Sequence, residues 1–338
     1  MKKSILPLLV LMSIGILQAQ TTYLHCGQLI DATSSEVKSE MTIIIEGDKI
    51  MQILSGYAQV PADAQGVDLK DKTVMPGLID MHVHIEGQSS PKRYEEQFRL
   101  NDADVYEEFY NHEHPAPELL EESVYGLPEV HAKRIRSARL IASPGCYPTS
   151  ILLPLIPLLA ERLIAPGSIH VTSMSGASGA GKSAKVDLLF AEVNESVRAY
   201  SVPKHRHLSE VEQELSLAAG EQVTITFLPH LLPVTAGIHT STVAAAMPGV
   251  SAADLNAALQ EAYATAPFVR LLGEGQHPDT KNVTGSNFID IACHLDPRTG
   301  RTILLSAEDN LGKGAASQAI QSFNLVTGQA QTSGLGWV

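Results

Sequence analysis

Cysteine is scarce: the chain carries only Cys26, Cys146 and Cys293. An odd, sparse set of this kind excludes a disulfide framework. Basic blocks are absent as well. The formal net charge is −13, and no run of lysine or arginine offsets it, which argues against nucleic acid as a partner. An anionic small substrate stays open, because it needs only local positive groups. The apolar run from Ile5 to Leu17 is too short for a comfortable membrane span. A dinucleotide-binding fingerprint is also lacking in residues 1–97: Gly87 stands alone, and Gly47 precedes Asp48 in a turn. What is there is a globular composition, 44% hydrophobic and 18% charged, over 338 residues. That length is enough for two domains or one large one.

The first segment, 1–19, reads as a targeting signal. Lys2 and Lys3 precede the apolar run, Ala19 offers a small residue for cleavage, and a polar Gln-Ala-Gln-Thr-Thr follows. This predicts export to a periplasmic or extracellular location.

Residues 22–76 alternate like short strands. The β-branched run Thr42-Ile43-Ile44-Ile45 leads into a Gly47-Asp48 turn and a second run. Two further short strands are expected before Val74. Then comes Pro76-Gly77-Leu78-Ile79-Asp80-Met81-His82-Val83-His84. On a strand, His82 and His84 share one face and can reach one divalent metal. With PGLIDMH before them, residues 23–98 resemble the start of the amidohydrolase superfamily, where a small β-sandwich leads into a metal-binding barrel. That resemblance implies more histidines, a bridging lysine and a catalytic aspartate over about 250 further residues. Nothing later in the chain reads as those elements, so the pair is expected to stay without a tight metal. Asn111-His112-Glu113-His114 sits in an acidic helical stretch and is expected to form a solvated face.

The chain changes character near residue 98, where Phe98–Val105 fits either side of a junction between two unrelated segments. Helices are expected at 118–122 and 130–136, and a short strand at 139–143. The strand ends at Pro144-Gly145-Cys146-Tyr147-Pro148-Thr149, followed by the apolar run Ser150–Leu163. Pro148 fits a first helical turn. Pro154 and Pro157 predict a kinked or short helix. Cys146 before a helix N-terminus is expected to ionise readily and act as a nucleophile.

A strand at 168–174 and a helix at 184–193 flank Gly176-Ala177-Ser178-Gly179-Ala180-Gly181-Lys182-Ser183. These eight residues match the phosphate-binding P-loop pattern, so a P-loop nucleotide binder is one alternative. No downstream magnesium-binding aspartate is convincing, Asp290 included. A small-residue loop that admits ligands to the backbone is the preferred account.

From about 98 to the C-terminus the ordered motifs resemble the N-acetyl-γ-glutamyl-phosphate reductase family, of the aspartate-semialdehyde-dehydrogenase-like class. The motifs are Tyr125-Gly126-Leu127-Pro128-Glu129, PGCYPT, SGASGAGK at 175–182, Lys204-His205-Arg206-His207, Phe227–Leu231, Val283–Asn287 and Asp309–Ala316. The resemblance implies an NADP-dependent oxidoreductase of arginine biosynthesis that converts an acyl phosphate to a semialdehyde. It implies Cys146 as nucleophile and His205 as acid/base partner, with His207 as the other candidate. Arg206, Ser175 and Gly176 would hold substrate or phosphate, and Ser178, Gly179, Ala180, Gly181 and Asn310 would border the cofactor. A homo-oligomer is implied too. Where the family has an arginine before Gly237, this chain has Ala236.

The expected architecture is therefore α/β. A β-rich segment (20–97) precedes a truncated Rossmann remnant (98–147) and an α+β catalytic and dimerisation domain (148–312). A C-terminal helix (313–338) returns to the remnant. A metal-dependent amidohydrolase fragment is the other alternative function. Zinc measured after exhaustive dialysis of the full chain should fall well below one equivalent. Stoichiometric, chelator-resistant zinc would revive the hydrolase.

Overall fold

The computed structural model describes residues 21–30, 37–46, 49–74, 99–111, 113–180 and 186–335. The chain divides into two compact units, residues 1–78 and 79–338. The leader, His82 and His84, His112, and Gly181 to Ser183 lie outside the described residues. Among the described residues, no helix is long and apolar enough to cross a membrane.

The first unit is a four-stranded sheet. Its strands are β1 (Thr21–Leu29), β2 (Lys38–Glu46), β3 (Lys49–Ser55) and β4 (Gln65–Val74), in the order β3-β2-β1-β4. The expected β2–β3 hairpin forms, with Ile45 opposite Ile50. Only one strand, β4, follows it, not two. It pairs in parallel with β1, and residues 56–64, with Pro61, serve as connection. Cys26, Leu29, Met41 and Ile43 form the core of this unit.

The second unit opens with α1 (Ala103–Tyr110), N-capped by Asp102, whose carboxylate accepts from the Asp104 N–H at 2.8 Å. Asn111 ends the helix in a left-handed conformation. The expected solvated face is overturned at His114, which is buried edge-on against Tyr106. Next come β5 (Ser123–Tyr125), α2 (Pro128–Ile135) and β6 (Leu140–Ala142). Residues 118–122 do not form an α-helix: Pro117–Leu119 make one 3-10 turn, too short to carry it further. β5 and β6 pair in parallel. Val124, Ile135 and Leu325 form a small core of their own there.

The main core lies under α3 (Cys146–Ala160), of whose residues only Ile156 and Ala160 escape full burial. After it run β7 (His170–Gly176), α4 (Phe190–Val193), β8 (Arg198–Ala199), α5 (His207–Ala219), β9 (Thr226–Leu232), β10 (Ile238–Ala245) and α6 (Ala252–Tyr263). Then follow β11 (Val269–Leu271), β12 (Ile289–Asp296), β13 (Arg301–Glu308) and α7 (Ser317–Val326). Seven strands make one mixed sheet in the order β11-β12-β13-β10-β7-β9-β8. Strand β10 alternates buried and half-buried along its length, as a strand with one face on a core should. The helix expected at 184–193 shrinks to α4 and a 3-10 turn at Val186–Leu188.

Helix α3 is neither short nor broken, contrary to what its two prolines suggest. A helical proline leaves the carbonyl four residues earlier without its donor. Pro154 orphans the Ser150 carbonyl, and Pro157 orphans that of Leu153. Both find hydroxyls: Ser306 Oγ donates to Ser150 O at 2.7 Å, and Tyr263 Oη donates to Leu153 O at 2.6 Å. The helix keeps its course because neighbouring elements supply what proline removes.

Lys313, fully buried, joins α2 to the C-terminal region. Its ammonium donates to Glu129 at 2.7 Å and to Gln321 at 2.8 Å. It belongs to a π-helical turn, Gly312–Ala316, that leads into α7.

Removing the Tyr263 hydroxyl should leave a buried carbonyl without a donor. Tyr263→Phe is expected to lower unfolding stability by about 1–3 kcal/mol. The loss should shrink in a Pro157→Ala background, which returns a backbone donor. Urea titrations of the four proteins in that cycle give the coupling, and strict additivity would refute the assignment.

Candidate active site

Three strand ends lie level at one side of the large sheet. Ser175 on β7 and Glu308 on β13 both sit opposite Ile238 on β10. The N-terminus of α3 comes to this same end. Gly145 is its N-cap, and the residue must be glycine: a Cβ there would lie 2.5 Å from His207 Nε2. Cys146 opens the helix and is buried. On its other side, a Cβ on Gly314 would lie 2.9 Å from Cys146 Cβ and 3.1 Å from Glu308 Oε1. The thiol is thus held between two backbone segments that tolerate no side chain.

That confinement overturns the expected easy ionisation. Burial pushes the Cys146 thiol up to about 12, and the Glu308 carboxyl adds to the rise. The Tyr147 backbone N–H at the helix start, Arg206 and Arg99 pull the other way. A helix end and two guanidiniums do stabilise the thiolate, but desolvation is the larger effect.

The two histidines come together. His205 and His207 have ring centroids 4.8 Å apart, and Tyr147 stands edge-on to both. The His207 backbone N–H donates to His205 Nδ1 at 3.1 Å. A neutral His205 ring therefore carries its proton on Nε2 and is set up to donate it. His207 begins α5, with its ring against Gly145.

Sequence reasoning missed the residues that brace this turn. Glu210 Oε2 accepts from Tyr125 Oη at 2.8 Å and from the Gly145 N–H at 3.2 Å. Its other oxygen lies 3.6 Å from Arg99 Nη1 and 3.9 Å from His207 Nε2. Arg99 Nε also donates to the Ser143 carbonyl at 2.8 Å. One signal was available: Glu210 stands three residues after His207 on one helical face. Arg99 sits in the ambiguous junction and gave none.

Cys146 and both histidines line a cavity of about 470 Å³. Among the described residues, Arg198, Lys204 and Arg206 also line it, against a single carboxylate, Asp187. Such a wall favours an anionic ligand. Arg198 is tied to Asp187 at 3.2 Å and Lys204 to Glu108 at 2.8 Å. The Tyr200 hydroxyl donates to Tyr147 Oη at 2.8 Å.

The small-residue loop is partly placed. Gly179 reaches the cavity. Asn310 joins it to the rest, with Nδ2 donating to Ser178 Oγ at 3.0 Å and Oδ1 accepting from the Gly237 N–H at 2.7 Å. Gly176 differs from expectation. A Cβ there would meet the backbone of Thr235 and Ala236 within 2.9 Å, so its missing side chain makes room for protein, not for a ligand. Ser175 is buried, its hydroxyl donating to the Gly176 carbonyl at 3.2 Å. Ala180 lies on the short turn Ala177–Ala180. Among the described residues, no group of three or more metal-binding side chains gathers.

With its thiol protonated through neutral pH, Cys146 should react slowly with iodoacetamide. At pH 8 the rate should be at least ~100-fold below that of an exposed cysteine, rising about tenfold per pH unit toward the alkaline limit. Peptide mass spectrometry would resolve it from Cys26 and Cys293. A rate that levels off below pH 8 would contradict the buried, protonated thiol.

Comparison with known proteins places the chain by similarity. The family model described as semialdehyde dehydrogenase, dimerisation domain, matches residues 146–310. An N-acetyl-gamma-glutamyl-phosphate reductase of Akkermansia muciniphila is 54% identical over 262 residues, which is 78% of this chain and 74% of the relative. The enzyme of the same name from Geobacter metallireducens is 47% identical over 291 residues, 83% of this chain and 84% of its own. A crystal structure of aspartate semialdehyde dehydrogenase II from Vibrio cholerae superposes with a TM-score of 0.49 at 16% identity, over 61% of this chain and 68% of that one. By the identity and coverage of these relatives, the chain belongs to the N-acetyl-gamma-glutamyl-phosphate reductase family.

Proposed function

We propose that the second unit is built to reduce an acyl phosphate to a semialdehyde, the activity its relatives' name describes, with Cys146 as nucleophile. The carrying observation is a thiol at the first turn of a buried helix, beside two histidines, in a cavity walled by three cations. Sulfur attacks the acyl carbon, the bond to phosphate oxygen breaks, and a thioester forms on Cys146. One imidazole takes the thiol proton. His205, protonated on Nε2, donates to the departing phosphate, and His207 is the partner for the thiol. Arg206 and its neighbouring cations balance the phosphate charge. Burial keeps the thiol protonated, so a base beside it has work to do when substrate binds. The exact acid is open, because Ala236 supplies no cation. The dimerisation-domain match supports a homo-oligomer.

NADPH would supply the hydride that reduces the thioester. The described residues fit only its nicotinamide end: Gly179 lines the cavity with Cys146, and Asn310 holds the neighbouring Ser178. For pyrophosphate and adenosine, neither residues 1–97 nor the short β5–α2–β6 segment offers a glycine-rich turn before a helix. We therefore read the chain as competent in its thiol half-reaction and poor in hydride transfer.

The first unit carries sequence features of a second family. Its small sheet, leading toward PGLIDMHVH, supports an amidohydrolase-like start joined to the reductase, and the leader supports export of the joined chain. In an exported setting NADPH would be scarce.

Full-length protein mixed with an acyl-phosphate substrate and NADPH separates the two half-reactions. Expected is a phosphate burst of at most one equivalent per chain, absent in Cys146→Ser, without sustained NADPH oxidation. Steady NADPH loss abolished by Cys146→Ser would establish a complete cofactor site and overturn this reading. No burst at all would refute the nucleophile.

A further inference from the structure

Glu308 ends β13 in the middle of the large sheet, between β10 and β12, opposite both Ile238 and Ile289. It has no exposed surface. Neither of its carboxyl oxygens has a hydrogen-bond partner. A buried carboxylate in that position would be costly, so burial favours the protonated acid. Burial does raise its pKa well above the usual carboxylate range. A structural carboxyl is normally paired, as Glu129 is with Lys313 and Glu210 with Tyr125 and Gly145. Glu308 is an exception, and it stands at the reactive end of the sheet.

Its neighbour is the thiol. A Cβ on Gly314 would lie 2.9 Å from Cys146 Cβ and 3.1 Å from Glu308 Oε1, so the missing Gly314 side chain leaves a space that both residues border. Both residues are buried, so screening between them is weak. Two acids so placed cannot both be charged cheaply.

We propose that Glu308 is a positioning residue that gates Cys146: the thiol can give up its proton readily only while the Glu308 carboxyl keeps its own. Loss of the Glu308 proton puts a second negative charge beside the sulfur and shuts the nucleophile down. The surroundings are consistent with this role. Facing Glu308 are Lys313, which favours its ionisation, and Asp309 and Glu129, which oppose it. Facing Cys146 are Arg206 and Arg99, which favour the thiolate, and Glu308, which opposes it. Tyr147 and Tyr200 are held protonated well above the ordinary phenol range, chiefly by burial. His205 and His207 complete the ring of titratable groups. Of these, Glu308 is the group that meets the thiol from the sheet side, away from the cavity.

This inference rests on Cys146 as the reacting thiol, but its test needs no turnover. Glu308→Gln keeps the shape of the neutral acid and cannot ionise. Full-length wild type, Glu308→Gln and Glu308→Met would be alkylated with iodoacetamide between pH 7 and pH 11, with Cys146 followed by peptide mass spectrometry. Circular dichroism confirms folding, and the methionine variant serves if the glutamine variant fails to fold. The expected result is a Cys146 profile displaced to lower pH by about one unit, which is roughly tenfold faster alkylation near pH 10. Mere loosening of the core would raise the rate by a similar factor at every pH. A folded variant whose profile superimposes on wild type, or rises uniformly, overturns the proposal. The phosphate burst is independent of this outcome. A displaced profile without a burst would remove the acyl-transfer reading and leave the coupling standing.

Discussion

The reactive end of this protein depends on one helix staying whole. Helix α3 carries Cys146 on its first turn and is almost wholly buried, yet it contains two prolines that a solvent-facing helix would struggle to hold. The two carbonyls those prolines orphan are satisfied by Ser306 from β13 and Tyr263 from α6. Each hydroxyl ties the helix to a different wall of the core. The position of Cys146 therefore follows from polar satisfaction deep inside the domain as much as from the loop that precedes it.

At the site itself, burial and charge work against each other. Close packing around Gly145 and Gly314 places the thiol well and starves it of water. The same packing deprives the thiolate of solvation, and the helix end with its two guanidiniums offsets that loss only in part. Glu210 shows the better-compensated arrangement nearby. It is equally buried, but it spends its oxygens on Tyr125, Gly145 and Arg99. One buried carboxyl thus fixes the turn that presents the thiol, and the other, Glu308, influences its charge.

Much of this was legible in the sequence, and the exceptions are instructive. The PGCYPT turn announced a strand-to-helix junction because local chemistry, glycine at the cap and proline in the first turn, sets it. His205, Arg206 and His207 lay together in four letters and meet at one cavity. Pro154 and Pro157 misled because the rule about proline is local, while the donors that rescue their carbonyls come from 156 and 110 residues away. Gly176 looked like a ligand-facing glycine, but residues 235–236 fill its space. Glu308 and Arg99 were invisible, since only the assembled fold puts them beside the thiol turn. The number of short strands before Val74 was overestimated for a simpler reason: alternation marks a strand but does not mark where a loop replaces one.

The ion pair of Lys313 with Glu129 has a wider meaning. Glu129 belongs to the short β5–α2–β6 segment, and Lys313 to the turn beside the thiol. Pulling that segment away would strand a charge in a dry interior, a penalty of about 3–5 kcal/mol. The segment is also held by its own small core, which includes Leu325 of the C-terminal helix. It therefore has no independent thermodynamic life. Residues 123–142 and 313–326 should open to solvent together or not at all, as a single cooperative block.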